Sequence, residues 1–190
     1  QKNRQAEWMP LRPENPHWSR RKRHPLETLL EHHDDLWEYQ QAMKQAPAKL
    51  TIYTDGGSRG NPGPAAVGVA LADRTGHILK RYGKTIGRKT NNEAEYEAVL
   101  FALTKVRALY GKDRVKNMAI EVRMDSELVC RQLNGEYKVE EERLWPLFMR
   151  IWNARRDFGE LSFRHVRREE NREADRLVNE ALDSEQGRLL

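Results

Sequence analysis

The sequence has 190 residues, of which 33% are charged, with a formal net charge of +5 and a single cysteine. A chain of this length buries a core and accommodates one medium-sized domain with an appendage. One cysteine excludes an intrachain disulfide and suits a reducing compartment, and no apolar run approaches the roughly 20 residues of a membrane helix. We therefore expect a cytoplasmic protein, or an organellar one if Gln1 is a processed end. The basic balance favours a polyanionic partner.

The first 48 residues differ in composition from the rest. Residues 1–25 combine four prolines with the basic run Arg20–Arg23 and show no apolar period, which predicts an extended basic arm. Residues 26–45 place apolar side chains at helical spacing and Pro47 ends that pattern, so 26–48 is predicted to be an amphipathic helix with a linker. The basic run suits a grip on a phosphate backbone, and it equally suits a solvated linker.

From residue 49 onward the pattern predicts a compact domain over 49–185 and a short tail over 186–190. The predicted elements are strands at 50–54, 66–72 and 77–86, a helix at 91–110, a strand at 118–124, helices at 126–134 and 144–158, a strand at 160–166 and a helix at 171–182. This order predicts an α/β fold with a five-stranded mixed sheet, in which three antiparallel strands precede two parallel ones. In the third helix, the spacing of Trp145, Phe148 and Trp152 predicts core positions.

Four acidic residues stand where such a fold brings strand ends and helix starts together. Asp55 and Asp125 directly follow the first and fourth predicted strands, and the other two, Glu95 and Asp175, lie early in helices. The carboxyl ends of parallel strands share one edge of a sheet, and converging carboxylates are tolerated mainly around cations, which suits two Mg²⁺ or Mn²⁺ ions. Spacing alone leaves a second interpretation open, in which these acids are turn residues, helix caps or solvated side chains.

Four segments surround these acids, namely TDGGSRGNPGPA at 54–65, TNNEAEYEAVLFAL at 90–103, MDSELVCRQLNGEYKV at 124–139 and HVRREENREADRLVNEAL at 165–182. Each of them, and their order along the chain, resembles the motifs of the ribonuclease HI family. The resemblance covers about 50–183 and implies a ribonuclease H-like fold of the compact bacterial and archaeal type. The basic protrusion of other members is missing, because 134–143 is short and acidic. The N-terminal extension resembles no hybrid-binding domain.

The resemblance implies an endoribonuclease that cleaves the RNA strand of RNA–DNA hybrids by two-metal-ion hydrolysis, leaving 5′-phosphate and 3′-hydroxyl ends. Its metal ligands would be Asp55, Glu95, Asp125 and Asp175. Glu95, rather than Glu93, occupies the family's catalytic position after Thr-Asn-Asn. Two alternatives stay open: an RNA- or protein-binding component of a ribonucleoprotein, anchored by its basic arm, and a nuclease acting with a reverse transcriptase. Expected partners are the hybrid, double-stranded RNA and a protein bound through residues 1–45, with no membrane.

Six residues would contact the nucleic acid if the resemblance holds. They are Gly56, Gly57, Asn61, Thr90, Asn91 and Asn92. The glycines would allow close backbone approach, the asparagines would read sugars and base edges, and the threonine would bind a DNA phosphate. The same residues suit a tight turn and helix caps, and the two roles do not exclude each other.

Two departures from the family pattern concern catalysis. Glu127 stands where some relatives carry a glutamine that contacts nucleic acid, and a carboxylate cannot donate that contact. His165 has the spacing of a histidine that assists catalysis in some relatives, although the alternation of Leu161, Phe163 and His165 also predicts a structural role. Arg168 is the alternative helper, as a cation near the leaving phosphate, and we favour it.

Overall fold

The computed structural model describes residues 49–186, with side chains through residue 185. The predicted arm at 1–25, the predicted helix and linker at 26–48 and most of the predicted tail lie outside the described residues. Among the described helices, none has both the length and the apolar character that crossing a membrane requires.

Five strands form one mixed sheet in the described part of the chain. They are β1 (Lys49–Ser58), β2 (Gly63–Ala72), β3 (Ile78–Lys89), β4 (Ala119–Met124) and β5 (Glu160–His165). Their spatial order is β3-β2-β1-β4-β5, with antiparallel pairing among β1, β2 and β3 and parallel pairing of β4 with β1 and with β5. The predicted fold class and mixed sheet are therefore confirmed.

Five α-helices accompany the sheet between residues 49 and 186. They are α1 (Asn91–Tyr110), α2 (Lys112–Val115), α3 (Glu127–Leu133), α4 (Trp145–Arg155) and α5 (Arg172–Gln186). α1 begins at its predicted residue because Thr90 caps it in a capping box with Glu93, each side chain accepting the other residue's backbone N–H. α2 was not predicted, since four residues are too few to show a period.

Both faces of the sheet are covered, and two successive glycines of β1 show how closely. A Cβ built on Gly56 would lie 2.1 Å from the carbonyl carbon of Ala94 in α1, whereas one built on Gly57 would lie 3.1 Å from Val178 in α5. Successive strand residues point to opposite faces, so β1 passes between α1 and α5. The larger hydrophobic cluster lies on the α1 side, and a smaller one packs β2 against α5.

β1 continues past its predicted end at residue 54, so Asp55 lies within the strand rather than after it. Antiparallel pairing with β2 extends to Ser58, opposite Ala65, and gives the Gly-rich stretch its hydrogen bonds. Because glycine weakens the local preference for a strand, this extension depends on the partner strand. β4 ends at Met124, and Asp125 follows it as predicted.

α4 buries a different face from the one that its aromatic residues predicted. Leu147 and Ile151 are buried in the main cluster, whereas Trp145 and Trp152 are 49% and 50% exposed. Phe148 is partly buried and stacks on Trp152, with 6.0 Å between the ring centroids. The predicted core positions of the two tryptophans are therefore wrong, because the aliphatic pair one turn apart forms the packed face.

Candidate metal centre

Three carboxylates converge at one end of the two central parallel strands. Asp55 lies in β1, Asp125 follows β4, and Glu95 is the fifth residue of α1. Parallel pairing continues to Tyr53 opposite Arg123, so the carboxyl ends of both strands reach the same edge of the sheet. Ligand oxygens of the three acids lie within 4.8 Å of one another. The convergence therefore follows from the strand order together with the position of α1.

Close packing of α1 on β1 brings Glu95 beside Asp55. The absence of a side chain at Gly56 lets the backbone of Ala94 and Glu95 approach the strand. Glu93 turns away to cap the helix by accepting the Thr90 N–H at 2.8 Å. Of the two glutamates, Glu95 is the one that joins the cluster.

Asp175 lies on the wall of the same cleft but outside the cluster of three. The cleft has a volume of about 440 Å³ and also includes Arg168 and Asn179 in its lining. Asp175 Oδ1 accepts a hydrogen bond from Arg168 Nη2 at 2.8 Å, and its Oδ2 accepts one from Asn179 at 3.3 Å. Of the four predicted ligands, three therefore converge, and the fourth, Asp175, forms an ion pair with Arg168 instead.

Two of the converging acids are buried, with Asp55 9% and Glu95 8% exposed. Burial, followed by repulsion from Asp125 and Asp175, raises the pKa of Asp55 to about 7. Burial, followed by repulsion from the other two converging acids, raises the pKa of Glu95 well above its usual value. The charge of Arg168 opposes both shifts without cancelling them. A divalent cation would offset this repulsion and desolvation, so the oxygen ligands fit Mg²⁺ or Mn²⁺.

The same region of the chain matches known proteins. The family model described as "Reverse transcriptase-like" matches residues 53–181. LC11-RNase H1, isolated from compost by a metagenomic approach, is 46% identical. Its structure in complex with an RNA/DNA hybrid matches with a TM-score of 0.68 over 72% of this chain and 99% of that chain. The chain belongs to the ribonuclease HI family.

Two further relatives show how much of each protein aligns with this chain. Ribonuclease HI of Halobacterium salinarum is 46% identical over 135 residues, which are 71% of this chain and 65% of the relative. Bifunctional protein Rv2228c of Mycobacterium tuberculosis is 39% identical over 140 residues, which are 72% of this chain and 36% of the relative. The chain therefore spans less than two thirds of the length of either relative.

The six residues that the ribonuclease HI resemblance assigns to nucleic acid surround the N-terminus of α1. Three of them line the cleft, namely Gly56, Gly57 and Asn91. Beside the cleft, Asn61 Oδ1 accepts the Asn91 N–H at 3.1 Å, and Thr90 caps the helix. Asn92 is half-buried in the first turn. Asn61 lies in a turn and Thr90 caps the helix, whereas Gly56 and Gly57 lie within β1 rather than in a turn. Contact with nucleic acid stays a prediction.

The two candidate helpers of ribonuclease HI catalysis, His165 and Arg168, occupy different positions. Arg168 lines the cleft, and His165 is not among the described residues that do so. His165 ends β5 with an exposed side chain, and the buried residue that follows Phe163 is Val166. The structural role that strand alternation predicted for His165 is therefore wrong, because the alternation of buried and exposed residues stops at Phe163, before the last two residues of β5.

Asn171 is a residue of this site that the sequence did not single out. It is fully buried, and its Nδ2 donates to Asp125 Oδ1 and to the Thr54 carbonyl, each at 3.0 Å. The available signal was an asparagine directly before α5, which by itself indicates a helix cap. Its two partners lie 46 and 117 residues away in the chain, so only the fold reveals the contacts.

Proposed function

We propose that this chain is a ribonuclease H endonuclease that cleaves the RNA strand of RNA–DNA hybrids. The observation that carries the proposal is the cluster of Asp55, Glu95 and Asp125, within 4.8 Å, in a member of the ribonuclease HI family. The complex of LC11-RNase H1 with an RNA/DNA hybrid supports the same substrate here. Buried carboxylates that repel one another serve no purpose in a protein that only binds nucleic acid, so a purely binding role is disfavoured.

The metal ligands in this proposal are the three converging acids together with Asp175. Their clustered, partly buried oxygens have the donor chemistry that Mg²⁺ and Mn²⁺ prefer. Asp175 would join them by leaving Arg168, since an exposed ion pair of this kind contributes little stability. Two such ions, as the resemblance implies, would supply positive charge beside the scissile phosphate and would lower the pKa of bound water.

The side chains of the cleft then orient the reacting groups. Asp55 and Glu95 are held in fixed positions by β1 and α1, and Arg168 offers a cation for the scissile phosphate. Water attacks the phosphorus and gives up a proton to the solvent, the bond between phosphorus and the 3′ oxygen breaks, and that oxygen takes up a proton from the solvent. The products are one fragment with a 5′-phosphate and one with a 3′-hydroxyl.

We assign recognition of the hybrid to the rim of the cleft around the start of α1. The rim residues are Gly56, Gly57, Asn61, Thr90, Asn91 and Asn92. Hydrogen bonds already join this rim, since the Ser58 N–H donates to Asn91 Oδ1 at 3.3 Å and the Asn91 N–H donates to Asn61. Amides and backbone groups in a fixed arrangement suit the 2′-hydroxyls and minor-groove shape that distinguish a hybrid from DNA.

The proposed division of the chain gives each segment one role. Residues 49–185 form the catalytic domain, followed by a tail at 186–190. To the basic arm that the sequence predicts at 1–25 we assign phosphate binding, and to the amphipathic helix and linker predicted at 26–48 we assign contact with a partner protein. Cys130 is a free, buried cysteine, which suits a reducing compartment such as the cytoplasm.

The test is cleavage of a labelled RNA–DNA hybrid in Mg²⁺ or Mn²⁺ by the full chain and by its Asp55→Asn variant. Loss of a ligand to ions that contribute several kcal/mol to transition-state stabilisation should slow cleavage by roughly 10³-fold or more, with hybrid affinity largely kept. Asp113→Asn removes an exposed acid on α2 that does not line the cleft, and it should cut like the wild type. A wild type that cuts nothing in either ion refutes the nuclease.

A further inference from the structure

Asn171 links β1, which carries Asp55, to Asp125, which directly follows β4. Its side chain is fully buried, directly before α5. The amide nitrogen Nδ2 donates two hydrogen bonds. One goes to the backbone carbonyl of Thr54, the residue before Asp55, and the other goes to Oδ1 of Asp125. Both distances are 3.0 Å. A single amide group therefore ties the end of β1 to the carboxylate that follows β4.

The amide oxygen of Asn171 shows that this arrangement leaves a buried polar atom without a hydrogen bond in the described part of the chain. Asn171 Oδ1 is buried and has no hydrogen-bond partner among the residues that the structure describes. An asparagine before a helix usually directs this oxygen to the N–H groups of the first turn. Here none of these N–H groups donates to Oδ1, and the backbone carbonyl of Asn171 accepts from Ala174 and Asp175 as the carbonyl before a helix ordinarily does. The orientation of the amide is thus set by its two acceptors rather than by capping.

Asp125 differs from the other two converging acids in how it is held. Asp55 lies within a paired strand and Glu95 within a helix, and the Gly56 N–H interacts with both carboxyl groups. Asp125 lies just beyond the last residue of β4 and is only half-buried. Its side chain therefore needs an anchor other than regular backbone structure, and the amide of Asn171 supplies one.

We propose that Asn171 is a positioning residue, whose amide holds the Asp125 carboxylate in the direction that completes the divalent cation site. This inference rests on the proposed metal centre. A partner that orients a ligand raises metal affinity by reducing the freedom that the ligand loses on binding. The second hydrogen bond, to the Thr54 carbonyl, fixes the Asn171 side chain relative to β1. Asp125 and Asp55 are thereby held at a fixed separation.

The test measures Mn²⁺ binding to the full chain by isothermal titration calorimetry, with the ion alone and no nucleic acid. Asn171→Ala should weaken Mn²⁺ binding by roughly 10- to 100-fold. In hybrid cleavage the variant should lower kcat at a fixed Mn²⁺ concentration and leave the KM for the hybrid near the wild-type value. Excess Mn²⁺ should restore part of the lost rate, because the ligands themselves are intact.

Gln132→Ala is the matched control. Gln132 is also a buried amide that donates to a backbone carbonyl, at 3.1 Å to Lys138, and it accepts from the Tyr96 hydroxyl at 2.8 Å. It contacts no converging acid in the described hydrogen bonds. This variant should lower Tm but leave the Mn²⁺ dissociation constant within about twofold of the wild type.

An Asn171→Ala variant with wild-type Mn²⁺ affinity would overturn the inference and make Asn171 a structural residue. So would an equal loss of affinity in Gln132→Ala, because the effect would then reflect general destabilisation. If Asn171→Ala does not fold, Asn171→Ser replaces it, with a donor on a smaller side chain. The Mn²⁺ dissociation constant of that variant is then measured, and a wild-type value would again overturn the inference. A wild type that binds Mn²⁺ but cuts no hybrid would refute the nuclease while leaving this measurement valid.

Discussion

Asp55 shows at the scale of one residue how the fold and the cation depend on each other. Its pKa of about 7 means that, without a cation, the Asp55 carboxyl of the folded protein is mostly neutral below about pH 7. An acid whose pKa is raised by folding contributes stability below its usual pKa of 3.8, and this contribution is lost as the pH rises through about 7. A bound cation reverses the preference, because it stabilises the charged form.

In EDTA, Asp55→Asn should therefore be more stable than the wild type at neutral pH. The amide stays neutral, so the advantage should be small near pH 4 and grow to about 4 kcal/mol by pH 7.5. Thermal unfolding across this pH range measures it. Adding Mg²⁺ should raise the Tm of the wild type more than that of the variant. A Tm difference that is the same at every pH would contradict the assigned burial and repulsion.

Between elements, the decisive contact is the one between β1 and the start of α1. The strand and helix backbones meet at Gly56 with no room for a Cβ, and the same stretch of α1 carries Glu95. The capping box of Thr90 and Glu93 fixes where the helix begins, three residues before Ala94. The position of Glu95 thus depends on the cap that starts α1 and on the glycine that lets α1 approach β1.

Gly56→Ala should displace α1 and lower the free energy of unfolding by about 3 kcal/mol, because the added methyl group meets backbone atoms that cannot move alone. Urea unfolding measures the loss, and calorimetry should show weaker Mn²⁺ binding. Gly57→Ala is the comparison, since its methyl group would meet only a Val178 side-chain carbon at 3.1 Å. Equal losses of stability in the two variants would show that the α1 contact is not the constraint.

Within the described domain as a whole, the strand order decides where the acids meet. β1 and β4 are neighbours in the sheet and carry Asp55 and Asp125 to one edge. α1 covers one face and brings Glu95, and α5 covers the other and brings Asp175. Each acid comes from a different part of the chain, so the cluster of three needs the sheet and α1, and Asp175 reaches the cleft only when α5 is packed on the sheet.

For the whole chain, the proposed arm should add a salt-dependent component to binding. Replacing Arg20, Arg21, Lys22 and Arg23 by glutamine in the full chain should weaken binding of the hybrid at low salt. The slope of log affinity against log salt should flatten by up to about 3, since each phosphate contact that is lost removes released counterions. Fluorescence anisotropy in Mg²⁺-free buffer measures the slope. An unchanged slope would make the arm a linker or a protein contact.

Much of the fold was accessible from the sequence because its signals are local. Strand alternation and helix periodicity, which compare residues two to four positions apart, predicted the mixed sheet and the start of α1 at residue 91. The same signals failed where the partner decides. β1 extends through glycines because β2 pairs with it, and Trp145 and Trp152 are half-exposed because Leu147 and Ile151 take the packed face of α4.

By itself, the sequence determined the order of the strands and of the longer helices, the family and the four candidate acids, because motifs and periodicity depend on residues that are close in the chain. Only the tertiary structure decided that three acids converge while Asp175 pairs with Arg168. It also decided that Asn171 anchors Asp125, across 46 residues of chain. These facts are distances between side chains on separate elements, and such distances are set by how strands pair and helices pack.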